Sequence, residues 1–143
     1  MLFLPDILPK DHILRIRIKA VILQAPPYDL SAMTPEWPNA PVHAAYWSSL
    51  DIAKQNDPLH LYQRLDHDIL ITLPRILMVQ AEFEPDWLID AGILFRNSVK
   101  QRSGHLLDLI IAKGHNHISL NWALSSGQGE EWAVHVLQWL NMP

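Results

Sequence analysis

A chain of 143 residues, 49% hydrophobic and 18% charged, has the size of one domain and too much apolar content for a disordered chain. Its net charge of −4 offers no basic footprint for nucleic acid or an anionic membrane. Without cysteine it has no disulfide framework, no thiolate nucleophile and no Cys-based zinc site.

The opening, MLFLPDILPKDH, holds a four-residue apolar patch broken by Pro5 and Pro9. That is too short for a signal-peptide core, and no run reaches transmembrane length, so a soluble, cytoplasmic protein is expected. Residues 13–25, ILRIRIKAVILQA, alternate at first and then become wholly apolar. The pattern predicts a strand with a solvated start at RIRIK (15–19) and an end buried on both faces. PPYDLS (26–31) ends it, because consecutive prolines cannot continue a ladder. Residues 31–70 form an excursion rich in Pro, Trp, Tyr and His, with a short helix expected around 43–55 and a local restart at Asp57-Pro58.

RILMVQAE (75–82) predicts a second buried strand, and residues 84–102 predict a helix. Pro85 suits the first helical turn, Leu88, Gly92, Phe95 and Val99 share one face, and Gly104 is the stop. HLLDLIIAK (105–113) is a third strand. Residues 129–142 form an amphipathic helix with Trp132, Val136, Trp139 and Leu140 on one face, and Glu130 and Glu131 where the helix dipole favours them. The order implies an α/β fold: about three parallel strands with flanking helices, one domain over residues 1–143.

In parallel α/β sheets, function gathers at the carboxyl ends of the strands. The loop after the second strand carries Glu82, Glu84 and Asp86, and the loop after the third carries His115 and His117. A carboxylate on one strand end and an imidazole on the next is how a catalytic histidine is oriented. The same His-x-His could instead give two ligands to a metal, but zinc needs at least three, and the rest would come from His43, His60, His67 or the aspartates at 66 and 68. A plain polar loop is the third reading. Glu84 with Pro85 and Asp86 also suits a helix N-terminus, and Glu82 suits a bridge between loops. Trp37, Tyr46, Trp47 and Tyr62 fit either an aromatic substrate pocket or a lid packed on its sheet. SSGQGEE (125–131) has no third glycine at the spacing a dinucleotide needs, so it reads as a helix-entry loop and not as a dinucleotide fingerprint.

The segment order and these loops resemble the C-terminal half of an α/β-hydrolase over residues 16–142, and GHNHIS…ALSSGQGEEWA resembles the esterase and kynurenine-formamidase-like branch. The resemblance implies a partial α/β-hydrolase fold whose first strand follows the nucleophile helix and whose residues 31–70 form the cap. It implies a serine hydrolase of small carboxylic esters or aryl formamides, with no cofactor and no metal. AEFEP places Glu84 at the triad acid, where the family usually has Asp, and Ala81 at a common glycine. In GHNHIS, His117 matches the catalytic histidine, with His115 as second choice.

The family's G-x-S-x-G elbow has no counterpart, because the glycines stand only at 92, 104, 114, 127 and 129. This chain alone is therefore expected to be inactive in triad hydrolysis unless another polypeptide supplies the first half. The alternative is a non-catalytic remnant serving as a binding or interaction module. The expected partners are a small ester or amide, a complementing N-terminal half or a second copy, with no nucleic acid and no membrane. The first strand, lacking its family neighbour, is expected to leave Val21, Leu23 and their neighbours on an exposed apolar flank, and the isolated chain to be marginal or self-associating.

Overall fold

The computed structural model describes residues 3–142; Met1 and Leu2 of the opening apolar patch lie outside the described residues. In chain order the elements are α1 (Leu14–Arg17), β1 (Ala20–Gln24), α2 (Ala40–Trp47), α3 (Leu50–Gln55), α4 (Pro58–Gln63), α5 (His67–Leu70), β2 (Arg75–Phe83), α6 (Asp86–Ser103), β3 (Asp108–Asn116), α7 (His117–Ala123) and α8 (Glu131–Leu140). The three strands form one parallel sheet in the order β1-β2-β3, so the fold is α/β, with helices on both faces. Among the described residues no helix is long and apolar enough to cross a membrane.

Alternation along β2 divides the core. Leu77, Val79 and Ala81 pack with Leu120 of α7 and Trp132, Val136 and Trp139 of α8. Met78 points the other way, into a cluster with Tyr28 and with Ala91, Phe95 and Val99 of α6. Burying each such Leu, Val, Met or Phe side chain contributes roughly 1.5–3 kcal/mol. The predicted face of α6 is the one that packs: Leu88, Gly92, Phe95 and Val99 are all buried. Its stop is Gly104, in the left-handed conformation at φ +78.

The first strand is shorter than predicted. Residues 14–17 make a helical turn, and the ladder begins only at Ala20. The reason is Arg15, which is buried. Its Nε donates to the carbonyls of Leu8 (3.0 Å) and Pro9 (2.9 Å), and its Nη2 to those of Phe3 (2.7 Å) and Leu8. A guanidinium taken from water needs such acceptors, and gathering them draws RIR under the N-terminal loops, away from the sheet.

β3 is displaced by three residues from its predicted start, to Asp108. Arg96 donates to the Leu107 carbonyl from Nε (3.1 Å) and Nη2 (2.7 Å), which holds the preceding segment against α6 as a loop. The helix predicted around 43–55 is two helices. Ser48, at φ +72, ends α2, and the Ser49 hydroxyl accepts the Ile52 N–H (3.1 Å) to begin α3. Asp57-Pro58 does restart the chain, as the cap and first residue of α4.

The excursion is fastened to the sheet. Leu59 N–H donates to the Tyr28 carbonyl (2.8 Å) and Leu30 N–H to Asp57 Oδ2 (2.9 Å). Tyr62 meets Phe95 edge-on at 5.6 Å, and Trp37 meets Trp87 at 5.3 Å. Trp47 packs against a buried cluster that includes Met33 and Ala53. Tyr46 is the member of the predicted aromatic set that stays open to solvent, at 76%.

β1 is an edge, as expected, but of the predicted flank it is Ile22 that is exposed, not Val21 and Leu23. Val21 and Leu23 are half-buried and line an apolar cavity of about 210 Å³ with Phe3, Leu61, Tyr62 and Ile76. The N-terminal loop and the excursion fold over that face, which the strand pattern could not register. Ile22, on the opposite face, is 38% exposed. In α8, Trp132, Val136 and Trp139 are buried as predicted, whereas Leu140 is 40% exposed. The helix turns on Trp139, whose Nε1 donates to Asp108 Oδ2 (2.6 Å) and whose ring lies 4.2 Å beneath the Arg75 guanidinium.

Candidate acid–base site

Elements at the carboxyl end of all three strands meet. Gln24 closes β1, and its Nε2 donates to Asn121 Oδ1 of α7 (3.0 Å). Glu84 follows β2, immediately before Pro85 caps α6. His117 follows β3 as the first residue of α7.

The entry to α7 is tightly specified. The Asn116 carboxamide oxygen accepts the N–H groups of Ile118 (3.0 Å) and Ser119 (2.9 Å), while the Ser119 hydroxyl accepts the Asn116 N–H (3.0 Å). This reciprocal cap sets the direction of the first helical side chain. Asn121 Nδ2 donates to the His117 carbonyl (2.9 Å) and steadies the same turn.

His117 Nδ1 lies 2.9 Å from Glu84 Oε2. The Glu84 side chain is wholly buried and the His117 side chain is 39% exposed. Glu84 Oε1 accepts the Ala81 N–H at 3.3 Å, so both carboxylate oxygens are engaged. A carboxylate oxygen accepts, so a neutral ring bonded to it would carry its proton on Nδ1 and leave the Nε2 lone pair free. A ring so arranged can take a proton at Nε2 while its positive charge is balanced from behind. Burial and then the negative charge of nearby Glu84 push the Tyr28 hydroxyl well above the ordinary tyrosine range, so Tyr28 is a neutral neighbour of the carboxylate.

His115 takes no part in this contact. It is buried, its Nδ1 lies 3.3 Å from the Ser119 hydroxyl, and its ring fills the space over Gly129. A Cβ on Gly129 would stand 2.8 Å from His115 Cε1. The two histidines are two residues apart, yet one packs inward and the other meets the carboxylate.

Glu82, the third carboxylate of the cluster with Asp86, bridges the strands. Oε1 accepts from Lys113 Nζ (2.8 Å) and Oε2 from the Gly114 N–H (2.8 Å). The Lys113 bond first, then that of Gly114, holds its carboxyl below the ordinary glutamate range.

Among the described residues, one group has three metal-capable side chains close together: Asp29, Asp57 and His60, with ligand atoms within 4.8 Å of one another. It includes neither His115 nor His117, nor the candidates His43 and His67. Hydrogen bonding accounts for Asp57 and His60. Asp57 is fully buried at the side chain, accepts the N–H groups of Leu30 and His60, and sits 2.9 Å from His60 Nδ1 through either oxygen. In the sequence Asp57 reads only as a helix start. The i, i+3 spacing of Asp57 and His60 was the one signal that could have revealed a second carboxylate–imidazole pair.

No protein-family model matches the chain, and no curated protein matches it in sequence. Among solved structures, carboxyl esterase 2 from the mycorrhizal fungus Tuber melanosporum is similar at a TM-score of 0.49 and 17% identity, over 83% of this chain and 42% of that one. The chain thus corresponds to less than half the length of that esterase.

Proposed function

We propose that this chain is the acid–base portion of a serine hydrolase acting on small carboxylic esters or aryl formamides, with the nucleophilic serine on another polypeptide segment. The observation that carries the reading is the 2.9 Å contact between buried Glu84 and half-exposed His117, just past the carboxyl ends of two adjacent parallel strands. In this reading His117 Nε2 removes the serine hydroxyl proton as the oxygen attacks the substrate carbonyl. Glu84 stabilises the resulting imidazolium, and Nε2 then returns the proton to the departing alcohol or amine. Without a serine, such a site loses on the order of 10⁶ in kcat.

The test has two stages. The coding region immediately upstream of Met1 is read for a G-x-S-x-G elbow, and the chain is then assayed on a short-chain aryl ester alone and co-expressed with that region. The expected result is no serine-type turnover by the chain alone, and phosphonate-sensitive turnover in the pair that disappears in His117→Ala. Undiminished turnover with His117→Ala would remove the assignment. A second reading, a non-catalytic binding or interaction module, draws support from the apolar cavity beside β1. An intact chain that starts at Met1 in cells, with no elbow upstream, would favour it.

A further inference from the structure

The β2–β3 ladder is regular from Leu77↔Asp108 to Ala81↔Ala112, and resumes at Phe83↔Asn116. Three residues of β3, at 113–115, therefore stand opposite Glu82 alone. The surplus has a definite shape. Gly114 takes the left-handed conformation at φ +75, and a Cβ there would meet nothing within 4 Å, so glycine is required by the backbone and not by crowding. Its N–H is met by the Glu82 carboxylate at 2.8 Å, a side chain standing where regular pairing would supply a main-chain carbonyl.

We infer that Glu82 is a positioning residue: by clamping the Gly114 bulge it sets the strand exit so that His117 reaches Glu84. The inference rests on the Glu84–His117 acid–base reading above. The surplus is two residues, so the faces of β3 are kept and every later residue moves on by two. The regular offset would set Gly114 opposite Phe83 and His115 level with Glu84, whereas the bulge sets Asn116 opposite Phe83 and His117 level with Glu84. The result is visible: His115 is buried over Gly129, and His117 is half-exposed beside Glu84. Glu82 itself touches neither histidine by hydrogen bond; its partners are Lys113 and Gly114. The two oxygens are also unequal in importance, since only the bond to Gly114 fixes backbone.

The experiment reads the tautomer of His117 from its imidazole nitrogen chemical shifts in the isotope-labelled chain. In the unaltered protein the Nδ1–H form is expected to dominate, and Glu84→Ala to abolish that preference. If Glu84→Ala leaves it intact, the acid–base reading fails. Glu82→Ala is expected to abolish the preference with Glu84 still in place. Glu82→Gln, whose amide oxygen can accept the Gly114 N–H, is expected to restore it, and Lys113→Met to leave it unchanged.

Retention of the Nδ1–H form in Glu82→Ala, alongside its loss in Glu84→Ala, would overturn the positioning role alone. Should Glu82→Ala fail to fold, Gly114→Ala decides, because it strains the same bulge in open space: loss of the signature supports the clamp and retention overturns it. Amide exchange in the unaltered chain gives a check free of variants. The Gly114 N–H is expected to be protected, and exchange at the rate of an open loop would overturn the inference.

Discussion

The Glu84 carboxylate has no solvent exposure at its side chain, whereas the His117 imidazole that it holds at 2.9 Å is 39% exposed. The asymmetry makes the two partners unequal when one is removed. His117→Ala leaves a buried carboxylate with one long bond to the Ala81 N–H, and Glu84→Ala leaves an imidazole that water can still reach. His117→Ala should therefore cost about 1–3 kcal/mol of stability in urea unfolding, and Glu84→Ala less through this contact. Equal losses, with a double-mutant coupling near zero, would mean the pair does not interact.

Gly129 offers a comparison between backbone strain and crowding. Gly127 and Gly129 both have positive φ, +75 and +69, but a Cβ at 127 meets nothing whereas one at 129 approaches His115 Cε1 to 2.8 Å. Gly127→Ala should cost about 1–2 kcal/mol, the ordinary penalty of the left-handed region. Gly129→Ala should cost about 1–3 kcal/mol more, from displacing a buried ring. Thermal unfolding of the two variants checks the difference, and equal losses would show that His115 yields freely.

Tyr28 predicts the alkaline limb of stability. Its folded pKa is raised, first by burial and then by Glu84, above the unfolded value of about 10. The sign follows: the unfolded chain gives up the proton first, so this contribution is complete below about pH 10 and is lost as pH rises toward the folded value. Tyr28→Phe keeps the stack on Phe95 at 4.8 Å and gives up only a long 3.5 Å bond to the Leu23 carbonyl. It should cost less than about 1 kcal/mol at neutral pH and flatten the alkaline loss. Tyr62, also raised by burial, should leave a smaller residue of it.

The open side of β1 predicts association. Ile22 is 38% exposed on a strand whose outer edge is unpaired among the described residues, and Ile16 and Leu137 add exposed apolar surface elsewhere, at 66% and 60%. Such an edge recruits another strand. Size-exclusion chromatography should show dimers or larger species, and Ile22→Lys should reduce them. A monodisperse monomer with a sharp, high-temperature transition would show that the 143 residues close their own core.

Much of this protein was legible in the chain. The buried face of α6, the apolar run of β2 and the helix carrying Trp132, Val136 and Trp139 all follow from periodicity, because each segment's own pattern records which face leaves water. Glu84 and His117 were legible as candidates for the same reason: they stand just past predicted strands, and parallel strands bring their ends together. Tertiary structure decided what depends on partners far along the chain. Arg15 withdrew part of the first strand to satisfy carbonyls of the N-terminal loops. Glu82 reached across 32 positions to the Gly114 N–H, and with that bulge His117 and not His115 came to the carboxylate. Periodicity reports only the solvation of a segment's faces; a hydrogen bond between distant residues leaves no period, and it exists only once the sheet has brought them together.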